Sequence, residues 1–229
     1  MKVWDWSGFF GYLASPYILL GAWTTLWLTA VSMALGLAVG FALALLRRSR
    51  RSWLSAPAAV YIWFFRGTPL LVQLIVIYTG LPQLGIKFTV MQSALIGLSL
   101  NEAAYLAEIV RAGLAAVPQG QLDAGRALGL REWQVMRLVV VPQALRVILP
   151  PLGNSVNGLL KTTSITSVIS MEELLRRTQE LVQERFEVLE LFAVASLYYL
   201  ALTTAWSLVQ DRIERHFGRA DTRILTSEG

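Results

Sequence analysis

The chain has 229 residues, 55% hydrophobic and 15% charged, with a mean hydropathy of +0.54; soluble domains carry roughly 25% charged residues, so a water-soluble globule is excluded. With no cysteine and a single histidine, His216, disulfide frameworks, thiol catalysis, Cys-ligated clusters and multi-histidine metal sites are excluded as well. The net charge of +5 does not imply nucleic acid, because the basic residues flank apolar runs instead of lining one polar face.

No charged residue lies between Asp5 and Arg47, between Arg66 and Lys87, or between Glu190 and Asp211. The first apolar stretch, residues 17–46, exceeds both the core of a signal peptide and the ~20 residues that cross a bilayer. It reads as a retained, tilted helix, with Trp4, Trp6, Tyr12 and Tyr17 suited to the interface. Residues 58–81 form a second span, which Pro57, Gly67 and Pro69 divide into an interfacial elbow before Arg66 and the span proper after it. Spans over 88–110, 143–170 and 191–210 follow, giving an all-α, polytopic membrane protein of about five transmembrane helices in a single domain, residues 1–229.

Positively charged loops are retained in the cytoplasm. Arg47, Arg48, Arg50, Arg51, Arg111, Arg126, Arg131, Arg137, Arg146, Arg212, Arg215, Arg219 and Arg223 flank one side, thirteen in all; Lys2, Lys87, Arg176, Arg177 and Arg185 flank the other. The expected topology is N-terminus outside and C-terminus cytoplasmic.

The longest polar connection, residues 112–142, falls on the cytoplasmic side. Gln121 to Leu128 reads helical, Gly129 punctuates, and Glu132 to Val141 reads helical until Pro142 stops it. Two short helices joined at a glycine suit a docking element; the other reading is an amphipathic helix lying on the bilayer.

Intramembrane polar groups mark an inward face, because a charge in hydrocarbon costs at least ~2.5–3.5 kcal/mol. Asn154, Asn157, Lys161 and Ser164 recur at helical spacing on the fourth span. Asn101, Tyr105 and Glu108 do so on the third, with Glu102 beside them. Lys161 opposite Glu102 offers a cation for a carboxylate and an acceptor for an ammonium; the competing reading is interhelical glue. Glu108 is expected to pair with Arg111 at i, i+3, and Arg66 to snorkel at a helix start. Glu172 and Glu173 read as part of an ordinary mixed-charge outer segment.

The run Asp123-Ala124-Gly125-Arg126-Ala127-Leu128-Gly129, followed after nine residues by Val139-Val140-Val141-Pro142, resembles the EAA signature of ABC importer permeases. Asp123, Gly125, Val139 and Val141 depart from it, and Asp and Gly lower helix propensity. Tyr61-Ile62-Trp63-Phe64-Phe65-Arg66-Gly67-Thr68-Pro69-Leu70-Leu71-Val72-Gln73 resembles the second-span signature of polar amino acid permeases. Ala104 to Gly113, Gly120-Gln121, Pro142 to Arg146 and Lys161 to Ile165 follow in that family's order.

The resemblance implies a transport subunit without enzymatic activity of its own, in a bacterial cytoplasmic membrane, coupled through Asp123, Ala124, Gly125, Gly129 and Pro142. Implied partners are a cytoplasmic ATPase dimer, an identical or sister permease, an extracytoplasmic amino-acid-binding protein, membrane lipid, and a polar amino acid of basic or glutamate/glutamine type. No cofactor belongs to this chain, since no Gly-x4-Gly-Lys-Ser/Thr loop is present to cradle phosphates; ATP and Mg are bound by the partner. Substrate-path candidates are Arg66, Gln73, Asn101, Glu102, Tyr105, Glu108, Asn154, Asn157, Lys161 and Ser164. The alternative is an ion-coupled secondary transporter, but no motif recurs as an internal repeat.

Overall fold

The computed structural model describes residues 4–218; Lys2, Arg219 and Arg223 of the charge count lie outside them. Ten α-helices follow in order: α1 Trp6–Leu13, α2 Pro16–Arg47, α3 Ser52–Gly67, α4 Leu70–Ile75, α5 Val90–Ala115, α6 Gln119–Ala127, α7 Glu132–Val135, α8 Val141–Thr162, α9 Leu174–Arg185 and α10 Val188–Gly218. Runs over 16–47, 90–115, 132–169 and 188–217 are each long and apolar enough to cross a membrane. A fifth candidate is the bent pair of α3 with the segment Leu70–Leu84, which meet at 104°.

That bend matches the expected elbow, but Pro57 takes no part: it lies inside α3. The break falls at Thr68 and Pro69, both extended, because the residue before a proline is pushed out of the helical region. The free backbone groups at the break are taken up locally. The Gln73 side-chain nitrogen lies 3.0 Å from the Phe65 carbonyl, 3.1 Å from that of Thr68 and 2.8 Å from Thr68 Oγ1, while Asn101 Nδ2 donates to Phe65 (3.2 Å) and to Gln73 Oε1 (3.1 Å). Such satisfaction is obligatory where no water reaches the backbone.

Pro142 does not stop a helix. The chain passes from α7 through a π-helical segment, Met136–Val140, straight into α8, with Pro142 in its first turn. Proline lacks the N–H that would bond the carbonyl four residues back and its ring crowds that carbonyl; the widened π turn gives the ring room.

At the centre stands α5, started by a reciprocal capping box between Thr89 and Gln92. Its small buried side chains, Ala94, Ala103, Ala104 and Ala107, let neighbours come close. The nearest approach is to α2, at Gly36 and Gly40. A Cβ on Gly40 would stand 2.8 Å from the Ala103 carbonyl oxygen, and one on Gly36 3.3 Å from that of Ser99. This small-x3-small spacing, Gly36-Leu37-Ala38-Val39-Gly40, is a close-packing signature of membrane helices that the expectations above did not include. Leu28, Leu74, Leu98 and Leu106 fill the core around it.

A second core, Phe9, Ile18, Leu174, Leu191 and Val194, joins α1, α2, α9 and α10. Gly40→Leu should push α2 off the α5 backbone and cost about 1–3 kcal/mol, the usual cost of overpacking; the midpoint of thermal unfolding in detergent micelles reads it, and an unchanged midpoint would disprove the contact.

Candidate functional site

The elbow, α5 and α8 line an open cavity of about 880 Å3 that carries several polar side chains. Arg66, Thr68 and Leu70 contribute from the elbow; Asn101, Glu102, Tyr105 and Glu108 from α5; Pro151, Ser155 and Gly158 from α8. The four α5 residues share a face because their spacing follows the helical period, as expected from sequence.

Within the cavity the charges are arranged unequally. Glu102 is hydrogen-bonded to Ser155, a partner that the sequence reading missed. Glu108 is held by Arg111 in the expected i, i+3 ion pair at 2.7 Å. Arg66, exposed in the last turn of α3, lines the cavity with its guanidinium carbon 5.4 Å from the Tyr105 ring centroid, a cation–π geometry. Arg66, whose charge also bears on Glu108, and Glu102, whose printed partner is the neutral Ser155, thus line one space.

The fourth-span stripe lies elsewhere. Residues 151, 155 and 158 of α8 line the cavity, and the expected stripe Asn154, Asn157, Lys161 and Ser164 is displaced from them by one residue, or about 100° around a helix. Lys161 and Ser164 line a separate pocket with Leu175, Ser196 and Tyr199, so they do not stand opposite Glu102. Asn154 is exposed; Asn157 carries a buried Oδ1 without a hydrogen-bond partner. Gln73 is 6% exposed and is engaged in closing the elbow.

In the connection between α5 and α8, helix α6 starts at Gln119, earlier than expected, which puts Asp123 in the second turn. Its carboxylate pairs with Arg126 at 2.9 Å, and Arg126 also grips Glu132 of α7 at 2.7 Å. The two acids, Glu132 foremost, hold the Arg126 guanidinium above its ordinary value. Gly129 has φ +77°, and Gly129 N–H to Arg126 O (2.9 Å) with Leu130 N–H to Gly125 O (3.2 Å) completes a Schellman cap. Ala124 lies inside α6, and its carbonyl accepts from Leu128 N–H. Gly125 is buried, its Cα close enough to α7 that a Cβ would meet Val135 at 3.3 Å. The departure from alanine there serves the packing of one short helix on the other.

Glu173 contradicts its reading as part of an ordinary outer segment: it is fully buried. It caps α9 by accepting from Leu175 N (2.9 Å) and Arg176 N (2.8 Å), and it accepts from Tyr199 OH at 2.9 Å and Thr25 Oγ1 at 3.4 Å. Burial pushes its carboxyl up while these hydrogen bonds pull it down. An acid directly before an amphipathic run is the N-cap signal that identifies it.

A sequence profile of the family described as "Binding-protein-dependent transport system inner membrane component" matches residues 36–219. The chain is 39% identical to the arginine transport system permease protein of Corynebacterium glutamicum, over 99% of this chain and 76% of the relative. It is 37% identical to the glutamine transport system permease protein of Escherichia coli, over 92% and 96%. A crystal structure of an amino acid ABC transporter with histidines superposes at a TM-score of 0.88, with 36% identity, covering 94% of this chain and all of that one. A methionine ABC transporter in an inward-facing conformation, at 20% identity and covering 88% and 96%, shares the fold with a TM-score of 0.74.

Proposed function

This chain belongs to the family of binding-protein-dependent transport system inner membrane components, and from that premise we propose that it carries a polar amino acid, of basic or glutamate/glutamine type, through the polar cavity between the elbow, α5 and α8. It is a multi-pass, non-enzymatic permease subunit of an ABC importer. The ion-coupled alternative has no support. An ATPase dimer binding ATP and Mg, an identical or sister permease and an extracytoplasmic amino-acid-binding protein complete the proposed assembly.

The single observation that carries the substrate proposal is Arg66 and Glu102 lining one cavity of about 880 Å3. Every amino acid offers a carboxylate to Arg66, whose planar guanidinium favours paired oxygens. Its ammonium, or a basic side chain, turns to Glu102. Glu108 is engaged by Arg111 and shapes the field at the rim.

The α6–α7 pair, with Asp123, Ala124, Gly125 and Gly129, is proposed as the seat of the ATPase, and Pro142 as the entry to the span that it moves. The Arg126 bridge makes the pair rigid, and the direct continuation of α7 into α8 carries a displacement to the cavity wall at Pro151 and Ser155. The excess of arginines beside α6 and at the end of α2 supports the N-outside, C-cytoplasmic orientation.

Three outcomes are expected. In reconstituted complexes with saturating binding protein, Glu102→Gln should weaken transport of basic amino acids relative to neutral ones, and Arg66→Gln should weaken all of them similarly. Removing a charge-assisted partner costs ~1.5–3 kcal/mol, about ten- to a hundredfold. Uniform loss in Lys161→Met with none in Arg66→Gln would move the carboxylate contact to the other face of α8. Gly129→Val should leave the chain inserted but abolish transport, since a β-branched residue resists positive φ; normal transport would remove the helix pair from coupling. In right-side-out vesicles, single cysteines at Ser52 and Gln134 should resist impermeant thiol reagents while one at Gln179 labels, and the reverse pattern would invert the orientation.

A further inference from the structure

Beside the polar cavity, at the end of α5, lies a smaller hollow of about 530 Å3, lined by Arg47, Arg48, Glu108, Arg111 and Ala115. Among the described residues Glu108 is the one that lines both spaces. Asn101, Tyr105 and Glu108 recur at helical spacing along the cavity, and Arg111 and Ala115 continue from Glu108 at the same spacing to the last residue of α5. At ~1.5 Å per residue, Arg111 stands ~14 Å beyond Glu102 along the helix axis.

Charges from both spaces meet at this shared wall. Arg111 grips Glu108 through Nε, 3.1 Å from each carboxylate oxygen, and through Nη2 at 2.7 Å. Arg66 from the cavity and Arg47 from the hollow also bear on the same carboxylate. The ion pair is partly open, with 25% of the Glu108 side chain and 46% of that of Arg111 exposed, so a solute reaches it. Three guanidinium groups against one carboxylate leave the hollow net positive. A guanidinium takes any carboxylate in the same planar, paired geometry. The α-carboxylate of an amino acid and the side chain of Glu108 are therefore equivalent ligands for Arg111. Exchanging one for the other leaves no cation unpaired inside a span, where an unpaired charge is costly.

We propose that the hollow is a release station for the substrate's carboxylate: Arg47 and Arg111 take it over from Arg66 while Glu108 moves from Arg111 toward Arg66, and the return of Glu108 to Arg111 expels it into the cytoplasm. The inference rests on the path and the orientation proposed above. Glu108 is then the movable counter-charge between two cationic stations, and its competition keeps the hollow from retaining the anion. A plain i, i+3 ion pair accounts for the Glu108–Arg111 contact alone; it gives no reason for Arg47 and Arg66 to bear on the same carboxylate from two separate spaces.

Because the chain has no cysteine, Ala115→Cys, at an exposed position of the hollow, reports on the site in the complete transporter reconstituted in vesicles. From the cytoplasmic face, anionic methanethiosulfonate ethylsulfonate should react about fivefold faster than its cationic trimethylammonium analogue, the size of one charge interaction near water. Arg47→Gln should reduce that preference, and Arg50→Gln, the same loss of charge outside the hollow, should not. L-glutamine should slow the labelling, whereas L-glutaminamide, which lacks the carboxylate, should not. In transport assays with saturating binding protein, Glu108→Gln should lower the maximal rate about tenfold without raising KM, because Arg111 then holds the carboxylate without a competitor; Glu108→Asp, which keeps the charge, should retain most of the rate. Equal reaction of the two reagents, an unchanged preference in Arg47→Gln, equal protection by glutamine and its amide, or an unchanged rate in Glu108→Gln would each overturn the station, and with a uniform loss in Arg66→Gln the path itself would still stand. Labelling from the outer face alone would overturn orientation and station together. Loss of the ATPase from the purified assembly in Arg47→Gln would assign the hollow to that subunit instead.

Discussion

The contact between α2 and α5 at Gly36 and Gly40 is the one on which the other helices depend. In a bilayer the hydrophobic effect does not drive one helix against another, so association relies on close packing and internal hydrogen bonds. Two glycines separated by one turn lower the α2 surface until the Ala103 and Ser99 carbonyls of α5 come within van der Waals range. With α2 on one side, α5 is left with two free flanks. One carries Asn101, Tyr105 and Glu108 and is closed by the elbow and α8 into a polar cavity; the other carries Val110 and Leu114 and opens on an apolar groove. A single helix separates a cavity with polar side chains from an apolar groove.

Three irregularities among the described residues are compensated locally. The elbow is held by Gln73 and Asn101, which together aim Arg66 back over Tyr105. The π turn before α8 allows Pro142 to sit in a continuous helix, so the α6–α7 pair is joined mechanically to the cavity wall. Glu173 ties α9 to α2 and α10 through Thr25 and Tyr199. An ionisable group buried this deeply persists only when most of its lone pairs are filled, and four donors reach this one.

Several of these features were legible in the residues and others were not. The five apolar runs, the break near Gly67 and Pro69, the ion pair of Glu108 with Arg111 and the left-handed turn at Gly129 each follow from local rules of composition or spacing. The Gly36-x3-Gly40 motif and the Glu173 cap also left recognisable signals, hidden respectively inside a uniformly apolar stretch and among other charges. Ser155 left none, because a lone serine in a span commonly bonds its own helix.

What the sequence by itself determined is the set of spans and the family's motifs. Exclusion of charge from hydrocarbon acts residue by residue along the chain, and a motif is a matter of order and spacing. Which side of each helix meets which neighbour was decided only by the tertiary structure. On α8 the polar residues 154, 157 and 161 and the cavity residues 151, 155 and 158 differ by one position, and helical periodicity alone accommodates either stripe as the inward one. The observed stripe goes with long-range contacts, α8 packing on α5 and α10, where Gln210 lies against Gly153 and Trp206 Nε1 donates to its carbonyl at 2.8 Å. With α8 held in this orientation, Ser155, and not Lys161, meets Glu102.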